Sequence, residues 1–69
     1  MSVSYNKLWK LLIDRGMNKT ALREATGLSP ATIAKLSKNK PVMVDVLEKI
    51  CSVLGCDIGD ICEYIPEDK

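Results

Sequence analysis

The chain of 69 residues has room for one small domain, since an independent core usually needs about 50 residues or more; so small a core disfavours a large catalytic cavity and favours a binding role. Hydrophobic residues make up 46% and charged residues 28%, the balance of a folded soluble chain, and no apolar run approaches the ~20 residues of a membrane span. The net charge of +1 divides into +6 over residues 1–40, eight basic residues against two acids, and −5 over residues 41–69, two basic against seven acids.

Apolar residues recur at helical rather than alternating spacing, so the chain reads as mostly α. Leu8, Leu11 and Leu12 form an i, i+3, i+4 stripe that Tyr5, Trp9 and Ile13 widen; this predicts a first helix over about Tyr5–Asp14, stopped by Gly16. Asn18 is a suitable N-cap for a second helix, about Lys19–Thr26, with Leu22 and Ala25 as its apolar face and Gly27 as its end. Ser29-Pro30 then opens a third helix, about Pro30–Lys38: serine accepts from an orphan amide, and proline at the first helical position loses no needed bond. Asn39-Lys40-Pro41 interrupts the pattern. Val44, Leu47, Ile50, Cys51 and Leu54 mark a fourth helix over about Val44–Leu54, and Asp57 with Asp60 approximates a capping box for a short fifth, about Ile58–Cys62. Ser2–Tyr5 and Glu63–Ile65 are strand-like, so the two ends are candidates for pairing.

Chemistry-bearing motifs are sparse. The sequence has no histidine, the commonest general base and metal ligand. Its cysteines, Cys51, Cys56 and Cys62, match no zinc or dithiol spacing and read as small apolar residues, with a redox-sensing thiol as the alternative. No phosphate loop, nucleophile elbow or internal repeat is present. An enzyme, a cofactor, a metal and a small-molecule ligand are therefore not expected. The start lacks the basic-then-apolar order of a secretory signal, and a cytoplasmic location is expected.

The informative constellation is the second and third helices, joined by Gly27, Leu28 and Ser29, which have the dimensions of a helix-turn-helix. At about 100° per residue, Ile33 and Leu36 define the buried side of the third helix. Ala31, Ala34, Lys35 and Lys38 then point outward, with Thr32 on the flank. No acid occurs from Ala25 to Val44, so this face carries a positive field. Lysine can donate to guanine acceptors, the alanine or threonine methyl can touch thymine, and Ser29 with the helix start can hold a phosphate.

On Gly16-Met17, Leu22, Ala25-Thr26-Gly27-Leu28-Ser29, Thr32-Ile33, Leu36, Leu47, Ile50, Leu54-Gly55 and Ile61, the segment from Leu8 to Ile61 resembles the Cro-like (XRE) helix-turn-helix family of phage repressors and bacterial regulators. The resemblance implies an all-α, compact five-helix bundle and a single helix-turn-helix domain over residues 1–69, with the motif at about 18–38. It further implies a homodimer on a pseudo-palindromic operator in double-stranded DNA, and repression. Carried over, base reading falls on Ala31, Thr32 and Lys35, preceded by Ser29 and Pro30. Backbone contacts fall on Lys19, Ser29, Lys38, Asn39 and Lys40. Three positions depart from the family pattern: Lys19 replaces a phosphate-clamping glutamine, Arg23 a small alanine, and Met43 a serine or threonine cap.

Val46 and Val53 lie beside Ile50 on a flank of the fourth helix that its core stripe does not require, so Val46, Ile50 and Val53 are the expected dimer interface, drawn from the fourth and fifth helices or the chain ends, with Trp9 and Ile13 similarly broadening the first helix. The alternative is a protein-interaction or antitoxin-like module that uses the same fold mainly to hold a protein partner.

Overall fold

The computed structural model describes residues 2–66; Glu67, Asp68 and Lys69, which enter the C-terminal charge balance and the 1–69 domain expectation, lie outside the described residues, as does Met1. In chain order the elements are strand β1 (Ser2–Ser4), helices α1 (Asn6–Asp14), α2 (Lys19–Thr26), α3 (Pro30–Ser37) and α4 (Val44–Leu54), a 3-10 turn (Ile58–Asp60) and strand β2 (Glu63–Ile65). The strands pair antiparallel, Ser2 opposite Ile65, Val3 opposite Tyr64 and Ser4 opposite Glu63, so the chain ends meet as their composition suggests.

Local signals account for most helix ends. Asn18 and Ser29 have extended backbones and accept from the Ala21 and Thr32 amides at 2.8 and 3.2 Å, each satisfying one of the orphan donors of a helix start. Gly27, at φ 74°, turns the chain out of α2 in a left-handed conformation that costs an L side chain energy. Leu28 follows it into the core, and this inserted side chain fixes how α3 leaves α2. The end of α3 has no glycine. Asn39 takes the left-handed position at φ 57°, its N–H bonding the Leu36 carbonyl at 3.2 Å and that of Lys40 the Lys35 carbonyl at 2.9 Å, the paired bonds of a Schellman motif.

The core is assembled from one stripe per helix: Leu8 and Leu12 of α1, Leu22 of α2, Ile33 and Leu36 of α3, and Leu47, Ile50 and Leu54 of α4, closed by Tyr5, Leu28 and Ile61. Four α-helices form rather than the expected five. The Asp60 carboxylate does reach back to the Asp57 N–H at 2.9 Å, but Gly59 is a poor helix former and the chain from Glu63 is drawn into pairing with β1, leaving a single 3-10 turn. Lys7 of α1 holds this region, donating to the Gly59 carbonyl at 3.1 Å and lying 3.6 Å from Glu63.

Several expected core positions are corrected. Ile13, 76% exposed, lies outside the α1 stripe, and Val44, 59% exposed, stands at the first position of α4, before its inward face begins. In α2 Ala25, in the last turn before Gly27, is exposed, while Ala21, one turn earlier, is half-buried. Ile50, expected at a dimer interface, is 0% exposed: it shares the inward stripe with Leu47 and Leu54, and that flank offers only exposed Val53 and half-buried Val46. No helix among the described residues is long and apolar enough to cross a membrane.

Candidate nucleic-acid interface

The outward face of α3 follows from the burial of its opposite side. Ile33 and Leu36 are buried, Ala31, Ala34, Lys35 and Lys38 are exposed, and Thr32 is half-buried on the flank. The face therefore presents two methyls and two ammonium groups with no acid. Thr32 and Lys35 also border a groove of about 500 Å³ whose other walls are Pro41, Val42, Met43, Asp45 and Val46. A base edge entering beside Lys35 would thus meet the start of α4 as well. Asp45, the nearest acid in sequence after Glu24, lines the same groove as Lys35.

The backbone-contact candidates are more tied to the fold than their spacing suggests. Ser29 caps α3 and its hydroxyl lies 3.0 Å from that of Thr32, so the two act as one hydrogen-bonded pair at the helix start. Lys19 stands at the first position of α2 with its ammonium 4.6 Å from the centre of the Trp9 ring and donates to Ser37 Oγ at 2.9 Å. Ser37 in turn donates to the Ile33 carbonyl at 3.1 Å. This chain joins α1, α2 and α3 and holds the ammonium over an aromatic face, a geometry that attracts cations. Lys38 and Lys40 are exposed, while the Asn39 side-chain oxygen accepts the Tyr5 N–H at 3.0 Å, leaving its amide group exposed toward solvent.

Helical spacing turns Ala31, Ala34, Lys35 and Lys38 outward, and the structure leaves all four exposed, but it passes over Trp9 and Ser37 as supports of Lys19, and over Met43 and Asp45 as walls beside Lys35. Nothing in local spacing points to these: Lys19 and Ser37 are 18 residues apart. The cysteines stand away from this face. All three are half-buried free thiols, and Cys51 is pushed up to about 11 from an ordinary 9.0, first by burial and then by neighbouring Cys56. At neutral pH it is a protonated thiol, which is not the nucleophilic form. Among the described residues no group of three or more His, Cys, Asp or Glu is arranged to hold a metal ion.

Known proteins share both the sequence pattern and the shape of this chain. A family model for the Cro/C1-type HTH DNA-binding domain matches residues 7–67. The HTH-type transcriptional regulator YozG of Bacillus subtilis (strain 168) is 41% identical over 56 residues, which are 78% of this chain and 67% of that protein. The crystal structure of the transcriptional regulator VanUg, Form II, superposes with a TM-score of 0.92 at 62% identity, covering 96% of this chain and 88% of that one.

Proposed function

The chain belongs to the Cro/C1-type helix-turn-helix DNA-binding family, and from that premise we propose that it is a sequence-specific double-stranded DNA-binding repressor in the cytoplasm, a single domain of residues 1–69 that occupies a pseudo-palindromic operator as a homodimer. The observation that carries this reading is the acid-free outer face of α3, two alanines and two lysines presented immediately after a tight turn. Ala31, Thr32 and Lys35 read bases, because the start and middle of a recognition helix project into the major groove. Lys19, Ser29, Lys38, Asn39 and Lys40 contact phosphates, because the helix start, its end and the following loop rise toward the backbone. The protein acts by occupancy and needs no cofactor.

Selection of bound fragments from random duplex DNA tests the reading. Enrichment of a two-fold symmetric sequence, bound with an affinity that falls steeply with salt, is the expected result; recovery of no preferred sequence contradicts it. A second reading, a module that holds a protein partner, is favoured by the apolar groove along Val3, Ile58, Cys62 and Tyr64 at the terminal sheet. Salt-insensitive capture of a protein, with no binding to duplex DNA, identifies that case.

A further inference from the structure

Tyr5 lies between β1 and α1 and is 1% exposed, yet both of its hydrogen-bond donors are directed at the segment that follows α3. Its hydroxyl donates to the Lys40 carbonyl at 2.8 Å, and its backbone N–H donates to Asn39 Oδ1 at 3.0 Å. The Lys40 N–H meanwhile donates to the Lys35 carbonyl at 2.9 Å, so the backbone of Lys40 is tied on both sides. Asn39 is the one non-glycine residue at positive φ among the described residues, a conformation that persists where the surroundings hold it. A segment carrying Lys35, Lys38 and Lys40, with no acid from Ala25 to Val44, repels itself. A purely apolar packing position would need the ring of Tyr5 but not its hydroxyl.

We propose that Tyr5 is the positioning residue for the phosphate-gripping loop: by bonding the Asn39 side chain and the Lys40 carbonyl it aims Lys40, and Lys38 beside it, at the DNA backbone. The inference rests on the DNA-binding reading above. Burial, reinforced by nearby Cys62, pushes the phenol above its ordinary 10.0, so the hydroxyl is a donor throughout the neutral range. Because β1 immediately precedes Tyr5 and pairs with β2, the same residue links the joined chain ends to the DNA-facing loop.

A double-mutant cycle with Tyr5→Phe and Lys40→Ala tests this, with affinity for the selected duplex measured by fluorescence anisotropy across a salt series. Tyr5→Phe keeps the ring and removes only the hydroxyl. It should weaken binding about two- to tenfold, the worth of one hydrogen bond, and lower the slope of log affinity against log salt without changing base preference. In the Lys40→Ala background that loss should shrink toward none. Equal losses in both backgrounds, or an unchanged salt slope, would overturn the inference. If circular dichroism shows Tyr5→Phe unfolded, a fluorinated tyrosine at position 5 alone replaces it, since it keeps the ring and alters only the strength of the hydroxyl as a donor to the Lys40 carbonyl, and a change in affinity that vanishes in the Lys40→Ala background is expected. A wild-type chain with no salt-dependent duplex binding would overturn both the inference and the reading beneath it, whereas equal losses on a wild type that binds overturn the inference alone.

Discussion

Lys35 and Lys38 stand three residues apart on one exposed face, yet their surroundings differ, and the proposed reading gives them different work. Lys35 borders the groove shared with Thr32 and Asp45, whereas Lys38 caps the helix and leads into the Asn39–Lys40 loop. Lys35→Ala is therefore expected to cost about 1–3 kcal/mol per half-site on the preferred operator and to relax preference at one base pair. Lys38→Ala should weaken all duplexes about equally and lower the logarithmic salt slope by about 0.9 for each phosphate the lysine no longer grips, roughly doubled in a symmetric dimer. Binding titrations on operator and random duplexes separate the two; equal weakening on both for Lys35→Ala would reassign it to the backbone. The outward direction of these side chains is legible from helical periodicity because Ile33 and Leu36 fix the rotation of α3. The ties of Lys19 to Trp9 and of Tyr5 to Lys40 are not, because they join residues distant in sequence and depend on how helices pack. Cys51 supplies a pH dependence at this scale. Its thiol is pushed up to about 11 in the folded state, and a raised acid pKa leaves its contribution to stability intact below the unfolded value and loses it as pH climbs through the folded one. Thermal midpoints should fall between about pH 9 and 11, and Cys51→Ala should flatten that fall while lowering stability at neutral pH through the vacated core space.

Helix boundaries are readable to within one residue where a cap sits in the adjacent sequence, as at Asn18, Ser29-Pro30 and Gly55. Where long-range pairing competes with a local signal, the sequence pattern overreaches. The 3-10 turn at Ile58–Asp60 has a capping carboxylate but competes with the strand pairing of Glu63–Ile65 with Ser2–Ser4; the strand-like composition of both segments makes them candidates for pairing, but does not show the cost of that pairing to the fifth helix. Met43 shows the opposite situation: α4 forms without a side-chain cap at its start, with Asp45 in its first turn as the only local aid. Met43 has the extended N-cap backbone, φ −73° and ψ 152°, with no side-chain cap bond, and it is 74% exposed, so neither capping nor burial explains its identity there. Met43→Ser should supply the missing acceptor without disturbing the core and stabilise the fold by about 0.5–2 kcal/mol. A rise of several degrees in the thermal midpoint is expected, and an unchanged midpoint would show that the α4 start is already satisfied by solvent.

At the scale of the whole molecule, charge and apolar exposure are divided along the chain in a way that constrains assembly. One α3 of eight residues is only about 12 Å long at about 1.5 Å per residue, enough to read a few base pairs, so operator specificity calls for a second copy one helical turn of DNA away, about 34 Å. Exposed Lys35, Lys38 and Lys40, proposed to meet DNA, lie between Ala25 and Val44, a stretch without acids, whereas exposed Glu48, Asp57, Asp60 and Glu63 belong to the C-terminal part. That part also carries exposed Val53, Ile58, Tyr64 and Ile65, and acids near a phosphate backbone are repelled. The two copies are thus expected to meet through apolar contacts set among like charges, and this predicts opposite responses to salt. Screening should tighten the free dimer, because repulsion between the acidic parts is damped within about 10 Å at 0.1 M, while the same salt weakens the complex with DNA by restoring counterions to the phosphates. Sedimentation equilibrium of the free protein and anisotropy titration of the operator complex, both between about 50 and 500 mM salt, measure the two effects separately. Val53→Asp should shift the free protein toward monomer and lower operator affinity without altering the base preference of a single half-site. A free dimer that dissociates as salt rises would place the interface on oppositely charged surfaces instead, joining the basic part of one copy to the acidic part of the other.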